Sequence, residues 1–188
     1  MNTEKETIFH ITLCNLIDRL VTIPNSIDRP ITGVQLDSRL VKNGDLFIAC
    51  FGRNHDARNY IDEAIRSGCA AVIAEFTIGM QKVDMRGSIP VIGIENLSSR
   101  VSEIANRFYQ QPSSKLKVIG ITGTNGKTSC SQFIADSLQS LGYKCGVIGT
   151  LGCGLPGSLE PTALTTPDAV FSQKQLALMV NERVEYVS

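Results

Sequence analysis

Val118-Ile119-Gly120-Ile121-Thr122-Gly123-Thr124-Asn125-Gly126-Lys127-Thr128-Ser129 is the stretch on which the fold turns. An apolar, β-branched run leads into a glycine loop, and an amphipathic segment follows at once. That order is strand, loop, helix, which is how a chain builds a phosphate cradle. The glycines let backbone N–H groups approach phosphate oxygens, and the helix N-terminus adds a favourable dipole. In such a loop Lys127 reaches the outer phosphates as a point charge and the Thr128 hydroxyl ligates Mg²⁺. The loop departs from the general G-x-x-x-x-G-K-[ST] pattern, because Ile121 stands where the first glycine is expected. A short match of this kind also arises by chance in turns, so the flanks decide. Apolar spacing at Cys130, Phe133 or Ile134, Ser137 or Leu138, and Leu141 predicts a helix over about 127–141, ended by Gly142. The implied ligand is a nucleoside triphosphate.

Outward from the loop, strands are expected at 116–121 and 144–149. A further helix opens at Thr166-Pro167-Asp168, with Thr166 as N-cap, Pro167 at the first helical position and Asp168 in the first turn. It runs to about Asn181, and Val184 to Val187 begins a strand. Upstream, Gln110-Gln111-Pro112-Ser113-Ser114 is polar and helix-breaking, which places a domain boundary there. Before it come an amphipathic opening over Ile11 to Leu20, then strands at Val34 to Leu36 and Asp45 to Cys50. A helix carrying Tyr60, Ile61, Ala64 and Ile65 stops at Gly68. Strands follow at Ala70 to Ala74 and Pro90 to Ile94, then a helix on Leu97, Val101, Ile104, Ala105 and Phe108. The expectation is an α/β chain. Residues 1–112 form a small N-terminal α/β domain with a mixed sheet, and residues 113–188 the first βαβ part of a P-loop domain, incomplete as it stands.

Composition narrows the function classes. Apolar residues make up 43% and charged residues 19%, which is globular. Lys plus Arg equals Asp plus Glu at 18 each, with no basic block, so nucleic acid is not an expected partner. No apolar run approaches the roughly 20 residues of a membrane span, and the N-terminus lacks the pattern of a secretory signal. The six cysteines, at 14, 50, 69, 130, 145 and 153, form no C-x-x-C pair and read as reduced thiols of a cytosolic protein. A metal site on Cys145 and Cys153 would find His10 and His55 remote in sequence. Gly152-Cys153-Gly154-Leu155-Pro156-Gly157 spells the dinucleotide pattern G-x-G-x-x-G, but Pro156 and Pro161 deny it the helix the motif requires. It reads as a flexible loop, without NAD.

Two further segments carry a family resemblance. Leu36-Asp37-Ser38-Arg39 with Gly44-Asp45-Leu46-Phe47-Ile48-Ala49, Gly52 and Asp56 is one; Thr165-Thr166-Pro167-Asp168 is the other. Together with the Gly123 to Thr128 loop they resemble the Mur ligases, and among these the MurE type, the UDP-N-acetylmuramoyl-dipeptide ligases. The resemblance implies a cytoplasmic, ATP-dependent step of peptidoglycan assembly. A third amino acid, diaminopimelate or lysine, is added to UDP-MurNAc-L-Ala-D-Glu through an acyl phosphate, with Mg²⁺ as cofactor. It implies ATP binding by Gly123, Thr124, Asn125, Gly126, Lys127, Thr128 and Ser129, with Lys127 catalytic and Thr128 on the metal. It implies binding of the UDP end of the substrate by Leu36, Ser38, Arg53, Asn54 and His55, and of the muramoyl-peptide part by Leu164, Thr165 and Thr166. The partners are then UDP-N-acetylmuramoyl-dipeptide, ATP and an amino acid, with no nucleic acid or membrane, and the protein a monomer.

Two positions depart from the family pattern. Ala57 stands where glycine is usual, which is tolerated if the local φ is negative, and Leu164 stands where a polar Asn is common. Plainer readings of single residues also exist. Asp37 and Ser38 shape a turn, His55 sits in one, Thr166 is explained as an N-cap, and Arg39, Lys42 and Arg53 form a solvated face. The family's Mg²⁺-binding glutamate and modified lysine are not located in the chain, so the 188 residues alone are expected to lack ligase activity. The alternatives are a MurF-type ligase, a binding-only remnant, and an unrelated P-loop kinase or GTPase. No N-K-x-D segment supports the GTPase.

Overall fold

The computed structural model describes residues 11–52, 56–161 and 167–188. The chain divides into two compact units, residues 1–108 and 109–188.

In the first unit β1 (Ile11–Thr12) pairs antiparallel with β2 (Pro30–Ile31), and the short α1 (Leu13–Leu16) lies between them. The amphipathic opening is therefore a two-residue strand and one helical turn, capped by the Thr12 hydroxyl. Next come β3 (Gly33–Gln35), β4 (Asp45–Ala49), α2 (Ile61–Arg66), β5 (Ala71–Glu75), β6 (Val83–Arg86), β7 (Ile89–Ile94) and α3 (Leu97–Phe108). The sheet order is β3-β4-β5-β7-β6, parallel except for β6, which runs antiparallel to β7. Leu46 to Ala49 and Ala71 to Ala74 are buried without interruption, the mark of parallel strands covered on both faces. On α3, Leu97, Val101, Ile104, Ala105 and Phe108 are all buried, at the spacing of a single helical stripe. The Glu75 carboxylate closes the open start of α3, accepting from the Leu97 and Ser98 N–H groups at 3.1 and 3.2 Å. Leu36 falls just past β3 instead of inside it, and Tyr60 stands exposed ahead of the buried Ile61 and Ala64. The edge strand β6 alternates Val83 and Met85 with exposed Asp84 and Arg86 over only four residues, too short a signal to be legible.

The second unit contains β8 (Lys117–Val118), α4 (Lys127–Ser140), β9 (Cys145–Gly149), β10 (Gly152–Leu155), β11 (Ser158–Glu160), α5 (Ala169–Asn181) and β12 (Tyr186–Val187). The order is β11-β10-β9-β12-β8, with β9, β12 and β8 parallel and β9-β10-β11 an antiparallel meander. Four corrections follow. The strand at 116–121 contracts to Lys117–Val118, because its partner β12 offers only Tyr186 and Val187 before the Ile119 N–H closes the ladder on the Val187 carbonyl at 2.8 Å. The segment read as a flexible loop is a hairpin. Leu155 pairs with Ser158 across Pro156-Gly157, where the proline ring fixes φ and Gly157 takes φ +88°. On α4 the buried residues are Ser131 and Ala135, while Phe133 and Leu141 are 69% and 73% exposed. Ala135 packs with Cys145 and Val147 of β9, with the expected Leu138 partly buried against them, while Phe133 faces outward. Finally, Asp168, expected in the first turn, is the N-cap of α5, its Oδ1 accepting from the Phe171 N–H at 2.8 Å; Thr166 lies outside the described residues.

Candidate functional site

The glycine loop follows β8 at the carboxyl edge of the parallel strands and opens α4. Gly126 is the N-cap residue, at φ +79°, a conformation that β-carbons disfavour. Gly123 sits at φ +150°. The first bond of α4 runs from the Cys130 N–H to the Gly126 carbonyl at 2.9 Å, and no side chain caps the helix. The N–H groups of Lys127, Thr128 and Ser129 therefore stand at an open helix end, where an anion is favoured. Lys127 is the single charged side chain of 121–129. Its Nζ donates back to the Gly123 carbonyl at 2.6 Å and reaches the Thr124 carbonyl at 3.5 Å, so the ammonium spans the loop. Thr124, Asn125, Thr128 and Ser129 are exposed on the same loop and first turn. The structure thus brings Gly123 through Ser129 together in one exposed turn with a single cationic side chain. Among the described residues no cluster of three or more His, Cys, Asp or Glu side chains forms a metal site. Thr128 alone could offer Mg²⁺ one protein oxygen, which suits a cation held mainly by phosphate and water.

In the first unit, Leu36 and Ser38 lie beyond the carboxyl end of β3. Asp37 caps the 3-10 turn Ser38–Leu40, accepting from the Arg39 N–H at 3.0 Å. Arg39 closes back on the same carboxylate, with Nη2 at 2.6 Å from Oδ2, and this holds the Asp37 carboxyl below the usual range. Arg39 is thus paired rather than simply solvated. Ser38 is buried, and its hydroxyl donates to Glu63 Oε2 of α2 at 2.6 Å. The next strand end repeats the device. Asp56 caps the 3-10 turn Ala57–Tyr60 and pairs with Arg58 at 2.7 Å, and the Arg58 guanidinium lies 5.0 Å from the centre of the Phe51 ring. Phe51 and Asp56 bridge as antiparallel partners. Ala57 is absent from the residues with positive φ, so its methyl group is accommodated. Arg53, Asn54, His55, Leu164, Thr165 and Thr166 lie outside the described residues. Glu63 and Arg58 were missed from sequence. Glu63 lies 25 residues from Ser38, a separation that carries no local signal. Arg58 repeats the Asp-x-Arg spacing of Asp37 and Arg39, which could have flagged it.

Other features of the chain are structural. All six cysteines are free thiols, and burial pushes the Cys69 thiol up to about 11. Among the described residues no helix is long and apolar enough to cross a membrane.

Comparison with known proteins places this geometry. The Mur ligase middle domain family matches residues 121–188. The UDP-N-acetylmuramoyl-L-alanyl-D-glutamate--2,6-diaminopimelate ligase of Coxiella burnetii is 50% identical over 149 residues, 79% of this chain and 30% of the relative. The ligase of the same name from Nitrosomonas europaea is 46% identical over 153 residues, 81% of this chain and 29% of the relative. A solved structure of a ligase with that name superposes with a TM-score of 0.77 at 28% identity, covering 95% of this chain and 35% of the other. The chain spans about a third of the length of the relatives it matches. A MurF-type ligase structure from Acinetobacter baumannii, at 20% identity and a TM-score of 0.59, shares the fold. With its N-terminal α/β unit, its glycine loop on α4 and these similarities, the chain belongs to the Mur ligase family.

Proposed function

We propose that this chain carries the UDP-substrate and ATP-loop parts of an ATP-dependent ligase that adds diaminopimelate to UDP-MurNAc-L-Ala-D-Glu. The observation that carries the proposal is the start of α4, which no side chain caps: Gly126 at φ +79° opens the helix, and the Lys127 ammonium lies on the same loop, 2.6 Å from the Gly123 carbonyl. The names of relatives at 36–50% identity favour diaminopimelate over lysine as the added amino acid. They also favour the MurE type over the MurF type, whose likeness at 20% identity extends to the fold alone. In this reading residues 113–188 begin the ATP-binding domain and residues 1–112 hold the UDP end of the substrate, through Leu36, Ser38, Arg53, Asn54 and His55. Leu164, Thr165 and Thr166 meet the muramoyl-peptide. The setting is the cytoplasm, where ATP and the nucleotide-sugar peptide are made, and the protein acts as a monomer.

The chemistry assigns each part a task. A substrate carboxylate oxygen attacks the γ-phosphorus of ATP, ADP leaves, and the amine of the incoming amino acid displaces phosphate from the acyl carbon. Negative charge converges on the transferred phosphoryl group, so fixed donors there stabilise the transition state without reorganising. The N–H groups of Lys127, Thr128 and Ser129 supply such donors. The Lys127 ammonium exchanges the Gly123 carbonyl for a phosphate oxygen when nucleotide arrives. Mg²⁺, held in part by Thr128, would neutralise further phosphate charge. Titration with Mg·ATP tests the loop. The wild-type chain binds saturably and Lys127→Ala weakens binding by at least tenfold, on the order of 1.4 kcal/mol or more for a charged hydrogen bond. Equal affinity of the two proteins would contradict the proposal.

A further inference from the structure

The hydrogen bond between buried Ser38 and half-buried Glu63 joins the turn after β3 to the first part of α2. An ionised carboxylate has no proton to give, so at 2.6 Å the hydrogen must come from Ser38. Both the side-chain rotamer and the hydroxyl direction of Ser38 are then fixed by one partner. The serine backbone is fixed separately, because Asp37 caps the same turn and Arg39 locks Asp37. Arg39 Nη2 is itself engaged by Asp37 Oδ2 at 2.6 Å.

We infer that Glu63 is a positioning residue of the substrate site: it holds the Ser38 hydroxyl in one orientation, so that Ser38 meets the UDP-substrate through its free lone pairs, as an acceptor. The inference rests on the proposed role of Ser38 in binding that substrate. Removing the carboxylate frees Ser38 to sample three staggered rotamers and to rotate its proton, so the binding orientation is populated only part of the time. Loss of a single rotamer preference among three wells corresponds to about threefold in affinity, and the released proton raises the expected loss to about tenfold.

The test compares Glu63→Ala, Glu63→Gln and Ser38→Ala in the full chain, by calorimetric titration with UDP-N-acetylmuramoyl-dipeptide and by thermal melting. Both Glu63 variants remove the same negative charge, so their ratio isolates the hydrogen bond from any repulsion of the substrate's diphosphate. The glutamine carbonyl can still accept from Ser38. The expected result is that Glu63→Ala binds about threefold to tenfold more weakly than Glu63→Gln, that Ser38→Ala also weakens binding, and that all three variants remain folded at the titration temperature. Equal affinity of the two Glu63 variants, with Ser38→Ala impaired, overturns the positioning role and leaves the substrate site standing. That pattern with a lower melting temperature for Glu63→Ala would assign the pair to stability alone. Unimpaired binding by Ser38→Ala, or no binding by the wild type, overturns the proposed substrate site and the inference with it.

Discussion

Gly126→Ala isolates the conformational demand of the phosphate loop. A β-carbon built at Gly126 meets no heavy atom within 4 Å, so no clash contributes. What remains is the left-handed backbone, φ +79°, which costs an alanine roughly 1–2 kcal/mol. The chain can absorb that cost in two ways. It can keep the strain, or rotate Gly126 into the right-handed region and swing the carbonyl that accepts the Cys130 N–H at 2.9 Å. Rotation moves the start of α4 and with it the donors aimed at phosphate. Nucleotide binding then has to restore the strained loop. At about 1–2 kcal/mol that lowers Mg·ATP affinity roughly 5- to 30-fold. Asparagine tolerates the left-handed region, so Gly126→Asn should recover most of the loss. Calorimetric titration of the three proteins with Mg·ATP, beside their thermal melts, gives the comparison. Wild-type affinity in Gly126→Ala, or weaker binding by Gly126→Asn than by Gly126→Ala, would refute the reasoning.

Two stability predictions concern the first unit. A β-carbon on Gly33 would lie 2.2 Å from Asp45 Oδ1, and Asp45 is buried with its other oxygen accepting from the Lys42 N–H at 2.9 Å. Gly33→Ala should therefore cost about 1–3 kcal/mol by overpacking, seen as a lower melting temperature; an unchanged melt would show that the Asp45 carboxylate moves freely. The Arg58 side chain, followed by its backbone N–H, holds the Asp56 carboxyl below its ordinary range. A folded-state value below the unfolded one stabilises above the unfolded value and is lost as pH falls through the folded one. Asp56→Asn should be less stable than the wild type at neutral pH by about 1 kcal/mol. That gap should close as the pH drops below about 4, and a gap that persists in acid would count against the pair.

Much of the architecture could be read in advance because it depends on local chemistry. The helical stripe from Leu97 to Phe108 is buried at every expected position, since its period is unambiguous and polar residues flank it. Gly142, at φ +86°, ends α4 as a glycine in that place should. Where two readings shared the same letters, tertiary structure chose. On α4 both the Phe133 and the Ala135 faces fit a helical period, and the Ala135 face is the one that packs on β9. The Gly152 to Glu160 hairpin was missed because its strands are short and glycine-rich, although Pro156-Gly157 is a strong turn signal. Asp168 took the cap expected of Thr166 because helical geometry begins only at Ala169. At the candidate site, the loop from Gly123 to Ser129 was visible as a contiguous motif. Glu63 was not, since its partner Ser38 lies 25 residues away and only the fold brings the two together, whereas Arg58 pairs with Asp56 two residues away, the same local spacing as Arg39 and Asp37.

The most direct test of the account is a calorimetric titration of this chain with UDP-N-acetylmuramoyl-dipeptide, set against UDP-N-acetylmuramoyl-tripeptide. The account predicts saturable binding of the dipeptide form, tighter than that of the tripeptide form. Tighter binding of the tripeptide, or no binding of either, would contradict it.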